Sequence, residues 1–360
     1  VQTTNDYDPA NRLTGISHVD LNSGALQAAY LYELDKRGHN TVVTETMRLP
    51  DGSGLNHQVI AYDYDPLYRI TEAAYTGVLS GTYAYEYNAV GNRVYYSTNI
   101  TNTETTTYTY NIANQLQESK DLLTSELTTY DWDDAGRLIT TTVASVVDKV
   151  YQYSQDGDLT QAEVAGLVTT FAYDGNGSRL QMSVAGEITT YLPDYGGRSS
   201  RVLFEQGTEE TKQYLYGVAC LGEFVTDNAT SNTEWRYYQR DAKSLVRQTT
   251  NEAATITLAW TFSPEGGVLL GEEGPVTHLG CGDDAVYDWS TGLIFKNGGY
   301  FDPNNGIWIT MGGAIIWQRR QTSSRRKRRM SKKLRYLMMI FLLLVLVLAL
   351  TGCDPSPDLP

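Results

Sequence analysis

The sequence predicts an all-β chain built of stacked hairpins, and three observations carry that expectation. An aromatic pair at i and i+2 recurs, each time followed by an acid or amide, a glycine-containing turn and then Arg or Leu. Tyrosine outnumbers phenylalanine 27 to 7, and aromatic residues suit a pleated, half-buried surface. Turn-forming Asp, Asn and Gly punctuate the repeat at a fixed place.

The best copies are AYDYDPLYRI (61–70), YEYNAVGNRV (85–94), YTYNIANQL (108–116), YDWDDAGRL (130–138), YQYSQDGDL (151–159) and FAYDGNGSRL (171–180). Their second aromatics are Tyr64, Tyr87, Tyr110, Trp132, Tyr153 and Tyr173, spaced by 23, 23, 22, 21 and 20 residues. Weaker copies precede them at 5–13 and 32–40, and a decayed one follows at 190–197.

Each unit can be read element by element. Residues two apart share a strand face, so Tyr130 and Trp132 point the same way. Asp133-Asp134-Ala135-Gly136 is the turn, because Asp bonds its own backbone and glycine takes positive φ without strain. Arg137 and Leu138 open a second strand. Two short strands and two turns fill about 22 residues. One such hairpin cannot bury its own face, so units are expected to pair edge to edge, with tyrosines of neighbouring repeats opposite one another. The repeat tyrosines are read first as structural cross-strand contacts. A second reading, a row of exposed aromatics that stacks on sugars, predicts the same alternation.

Composition bounds the function. The 360 residues carry 42 acids and 28 bases, a net charge of −14, which argues against a nucleic-acid partner. Three cysteines exclude a disulfide scaffold. His18, His39, His57 and His278 show no ligand spacing, and no metal site or cofactor is expected. Asp174-Gly175-Asn176-Gly177-Ser178 opens like a calcium loop, but Ala185 stands where its bidentate glutamate belongs. Cys220 and Cys281 either pair or lie buried as small apolar groups. No nucleophile elbow or phosphate-binding glycine loop is present.

The Y-D-x-x-G-R-L unit resembles the YD repeat of RHS proteins, found also in insecticidal toxin-complex C subunits and in teneurins. The likeness continues through LYGVACLGEF (215–224), RDAKSLVRQ (240–248) and TFSPEGGVLL (261–270) to YDWSTGLIFKNGGYFDPNNGIWIT (287–310). That last stretch is similar to the motif that closes the RHS-associated core. The resemblance implies a β-strip wound into a hollow shell, sealed at one end by the closing motif, around a polypeptide made in the same chain. It also implies aspartate-dependent self-cleavage in some members, for which Asp288 and Asp302 are the candidates here. Gly312 and Gly313 stand where the family's second Asp-Pro is expected, and Asp302 before Pro303 reads equally as a turn acceptor.

The tail departs from the family. Between 319 and 335 ten residues are Lys or Arg, and an unbroken apolar run follows at 337–350. The tail from Arg319 holds +8 of charge and the body before it −22. One reading is a short hydrophobic helix spanning a membrane, with residues 1–335 on the cytoplasmic side. The other is a displaced lipoprotein signal from Met330, with Leu350-Thr351-Gly352-Cys353 as lipobox and Cys353 as the lipidated residue. Both make the tail membrane-seeking. The chain begins at Val1 without an initiator methionine, which reads as a fragment.

The expected organisation is repeats over 1–200, an RHS-associated core over 201–311, a basic linker over 312–335, a hydrophobic membrane segment over 336–352 and a polar tail over 353–360. The expected role is a non-enzymatic shell or scaffold at a bacterial cell envelope or surface. Its expected partners are a membrane and an enclosed or surface polypeptide. The alternatives are an adhesin that binds glycan or protein, and a self-processing toxin carrier.

Overall fold

The computed structural model describes residues 1–310 except Ser53, 197–200, Val218, 272–284 and Asn297. These lie in one compact unit, Val1–Gly313. All regular elements among the described residues are β. The expected hydrophobic helix at 336–352, the basic linker, Cys353, Cys281 and His278 lie outside them.

A single antiparallel meander of 23 strands runs from Gln2 to Ala259. Each strand pairs with the next in sequence, as in Tyr85↔Tyr96, Tyr130↔Thr141 and Tyr151↔Ala162. Glu187–Pro193 pairs with Val202–Gln206, and the meander reaches Ile256–Ala259. Two small sheets follow, a hairpin of Thr261–Phe262 with Val268–Leu270 and a four-stranded sheet over 286–308.

The turn shows why the repeat uses Asp, Gly and Arg. At Asp65, Oδ1 accepts the backbone N–H groups of Leu67 and Arg69, and Oδ2 accepts Arg69 Nε at 2.6 Å. The Arg69 backbone N–H holds the half-buried Asp65 carboxyl below its usual pKa. Asp133 and Arg137 repeat the arrangement. Gly136 closes that turn at φ 77°, where a side chain would be strained. At Asn11, Tyr68 and Asn114 a non-glycine takes the same left-handed conformation.

Each arginine then reaches the next unit. Arg69 Nη1 donates to Asn88 O at 2.9 Å while its guanidinium lies 4.7 Å from the Tyr87 ring centre. Arg137 does the same to Ser154 O and Tyr153. The second aromatic latches in the opposite direction. Tyr110 donates to Arg93 O, Trp132 Nε1 to Leu116 O, and Tyr153 to Leu138 O, all at 2.7 Å. A register shift sits beside the second aromatic of each of the best copies. One extra residue per hairpin bends and twists the strip at a regular interval.

One expectation is corrected. Tyrosines of neighbouring repeats are not opposite one another, because the return strand of each hairpin lies between them. The residues opposite the first aromatics are mostly small: Ala73, Ser119, Thr141 and Ala162, with Tyr96 and Met182 the large exceptions. The small residues leave room for the tyrosine rings on either side.

Late strands of the meander pack on early ones. Arg247 forms a bidentate pair with Glu45, 2.7 and 2.6 Å, and Tyr75 donates to Phe262 O. His18 Nε2 donates to Arg240 O at 3.1 Å while the Thr3 hydroxyl faces Nδ1 at 2.9 Å, which fits a neutral ring. Burial pushes the His18 pKa down to about 4. Its folded value therefore lies below the unfolded value of about 6.5, so the unfolded chain takes up the proton first. This contribution is whole above about pH 6.5 and falls by roughly 3 kcal/mol as pH drops to about 4. Urea unfolding midpoints of the wild type and His18→Gln should converge as pH is lowered through that window. Parallel curves would show that His18 does not titrate there.

Candidate functional site: the closing sheet and the chamber beside it

The inner face of the repeats is built by alternation. Tyr108, Tyr130, Tyr151 and Phe171, the first aromatics of four consecutive units, are buried. Tyr110, Trp132, Tyr153 and Tyr173, the second aromatics, are half-buried beside them, and Tyr64 and Tyr87 hold the same place in the earlier units. The row that the sugar-stacking reading needs exposed is thus turned inward.

The sheet over 286–308 lies on this face and shares its core through Val286, Leu293, Phe295, Tyr300 and Ile309. Its hairpins turn at Asp288–Gly292 and Asp302–Gly306, each closed by a glycine N–H bonded to the aspartate carbonyl at 2.8 and 2.9 Å. Polar contacts fix its position. Leu138 N–H donates to Ile309 O at 3.0 Å, and Tyr173 and Tyr300 share a hydroxyl bond of 2.8 Å. Burial lifts the Tyr300 pKa to about 12, so the hydroxyl keeps its proton at neutral pH.

Two buried cations hold the same sheet. Arg179 pairs with Asp288 at 3.5 Å and lies 5.1 Å from the Phe295 ring centre. Arg93 donates to Asn304 O at 2.9 Å and to the Tyr108 hydroxyl at 3.1 Å, and pairs with Glu265 at 3.5 Å. Sequence reading missed them by merging two kinds of arginine. Arg69 and Arg137 stand four residues after the turn acid, at the surface. Arg93 and Arg179 stand five after Asn88 and Asp174, opposite Tyr87 and Tyr173, where Leu116, Leu138 and Leu159 occupy other units. Counting from the turn acid would have separated them.

Asp288 and Asp302 are both buried, 3% and 4% exposed, and both are occupied by their own turns. Asp288 Oδ1 accepts the Ser290 hydroxyl at 2.7 Å and Oδ2 faces Arg179. Asp302 Oδ1 accepts the Asn304 N–H at 2.9 Å and Oδ2 accepts Asn305 Nδ2 at 2.9 Å. Each carboxylate thus accepts hydrogen bonds from its own hairpin.

Beside the sheet is a chamber of about 540 Å³. The strands over 81–153 form one wall, the hairpin around Glu265 a second, and Pro303, Asn304 and Asn305 a third. The sequence signal for it is the pattern E-x-T-x-Y-x-aromatic at 104–110 and again at 126–132. That pattern extends the repeat away from its turn.

The remaining candidates are local. Asp174 Oδ1 accepts the N–H groups of Asn176 and Ser178, as in the other turns. Among the described residues no three metal-ligating side chains cluster. His39 bonds Asp35 and stacks on Tyr68 with ring centres 4.4 Å apart. Cys220 is a buried free thiol whose pKa burial raises to about 11. No described helix is long and apolar enough to cross a membrane.

A family model described as Teneurin YD-shell matches residues 5–335. No curated protein matches the chain. Among solved structures, the TcdB2-TccC3-TEV crystal structure is similar at 17% identity with a TM-score of 0.55, over 86% of this chain and 17% of that one. The crystal structure of TcdB2-TccC3 without its hypervariable C-terminal region gives 18% identity, a TM-score of 0.56 and the same coverage. This chain thus spans about 17% of the length of either, and the likeness is one of fold.

Proposed function

Because the chain belongs to the teneurin YD-shell family, we propose that it is a non-enzymatic wall and closure of a β-shell. The observation that carries this reading is the sheet over 286–308, docked on the aromatic inner face by buried contacts. A shell of this kind encloses a polypeptide, and the inward aromatics and the chamber give such a polypeptide a surface to lie against. The family's architecture is that of a structural scaffold, and the hairpin roles of Asp288 and Asp302 agree with a chain that does not cut itself.

On this reading the basic and apolar tail attaches the shell to a membrane of a bacterial envelope or surface. The charge of +8 from Arg319 onward draws it to anionic lipid, and the apolar run at 337–350 follows directly. Cys353 is its acceptor for lipid if the segment from Met330 acts as a signal.

Intact-mass measurement tests the proposal. Wild type and Asp302→Asn should both give a single full-length mass after prolonged incubation. A fragment ending near Thr310 in the wild type alone would make the chain a self-processing carrier instead. Palmitate labelling of the same preparation, lost in Cys353→Ser, would identify the lipidated form of the tail.

A further inference from the structure

The inner strands carry two chemistries. Near the turns stand the aromatic pairs. Away from the turns the same face carries hydroxyls and carboxylates, because alternation places Glu104 and Thr106 in line with Tyr108, and Glu126 and Thr128 in line with Tyr130. With Asp121, Asp148 and Glu265 these line the chamber, against the single ammonium of Lys149. Glu265 faces Arg93. Glu104, Asp121, Glu126 and Asp148 have no cationic partner among the described residues. A second observation is independent of charge. Thr141 stands on the same wall, 4% exposed, and its Oγ1 has no hydrogen-bond partner. A buried hydroxyl left unpaired is costly, so the chamber wall is short of a partner where Thr141 stands between Tyr130 and Lys149.

We propose that the chamber binds an extended polypeptide segment bearing lysine or arginine. The ligand is cationic because the facing carboxylates outnumber the one base. It is a polypeptide because the wall mixes acids with neutral groups that suit a backbone. Thr106, Thr128, Thr141 and the Asn304 side chain can bond peptide N–H and C=O groups. Tyr83, Tyr108 and Tyr130 border the chamber and give it an apolar stretch of wall for the aliphatic stems of long basic side chains. A bare metal ion does not fit, since no three ligating side chains converge among the described residues. The source of the segment, an enclosed polypeptide, rests on the shell reading above. The chemistry of the chamber does not.

Calorimetric titration of the purified full chain with a short oligolysine tests the proposal. Glu104→Gln with Glu126→Gln should weaken binding by about tenfold, the effect of losing roughly 1.4 kcal/mol of charge-assisted contact. The control pair, Glu118→Gln with Asp131→Asn, removes the same charge from the same two hairpins at positions that do not line the chamber. It should change binding less than about twofold, as screened surface charges do. Unfolding midpoints of both variants should match the wild type, so that a loss of binding is not a loss of fold. Equal weakening by both pairs would overturn the proposal, leaving general attraction to an acidic body. So would spermine binding as tightly as oligolysine with the same dependence on Glu104 and Glu126, which would make the chamber a polyamine site. Absence of binding would also overturn it. The intact-mass comparison can fail while this titration succeeds, and the reverse, so the two readings are tested separately.

Discussion

Replacing Arg247 by methionine is expected to lower stability by about 3–5 kcal/mol, the cost of leaving a buried charge unpaired. Arg247 is enclosed by groups from both ends of the meander. It bonds both carboxylate oxygens of Glu45, Asp241 Oδ2 at 3.1 Å and Trp260 O at 3.1 Å, and lies 5.2 Å from the Tyr30 ring centre. Glu45 is 5% exposed, so without the guanidinium its carboxylate has neither water nor a cation. A second variant separates the missing charge from the missing bulk. Arg247→Met combined with Glu45→Leu should recover part of the loss, because an apolar pair of similar volume avoids the desolvation penalty while Asp241 stays without its cation. Urea unfolding of the three chains reads both values. If the double variant is as unstable as Arg247→Met, packing rather than charge joins the late strands to the early ones.

The second large effect concerns the closing sheet. Arg179→Leu places at this position the residue that Leu116, Leu138 and Leu159 supply in other units. The leucine should fit, yet stability should fall by about 3 kcal/mol, because Asp288 loses its cation in a buried place. Asp288→Asn keeps the side-chain oxygen that accepts the Ser290 hydroxyl. The double variant, Arg179→Leu with Asp288→Asn, should therefore be more stable than Arg179→Leu by roughly 2 kcal/mol. Independent, additive losses would show that the pair does not position the sheet, and that the Phe295 and Tyr300 packing does so alone.

The hairpin unit was fully legible in the sequence. An aromatic pair, an acid and a glycine at fixed offsets define two strands and a turn by local chemistry, and the turn bonds of Asp65 and Asp133 follow directly. The closing sheet was legible only through family resemblance. Its strands are short, and its place is set by contacts of high sequence separation such as Arg179 with Asp288. The pairing of Arg247 with Glu45 was not legible at all, since nothing local marks a charge destined for burial. The chamber lay between these cases. Its acids repeat with the period of the tyrosines, but that period was read only across the aromatic half of each unit.

The two kinds of latch between hairpins point in opposite directions along the chain. Arginine side chains reach forward to the next turn, and the second aromatic reaches back to the unit before. The junction between the units at 130–138 and 151–159 carries both groups at once. One seam chemistry therefore serves more than one pair of units along the strip. Units that receive a buried arginine at the leucine position are the exception. Arg93 and Arg179 tie their hairpins to particular partners in the closing sheet, and Arg247 ties the late strands to Glu45, so the number of units between these anchors is fixed.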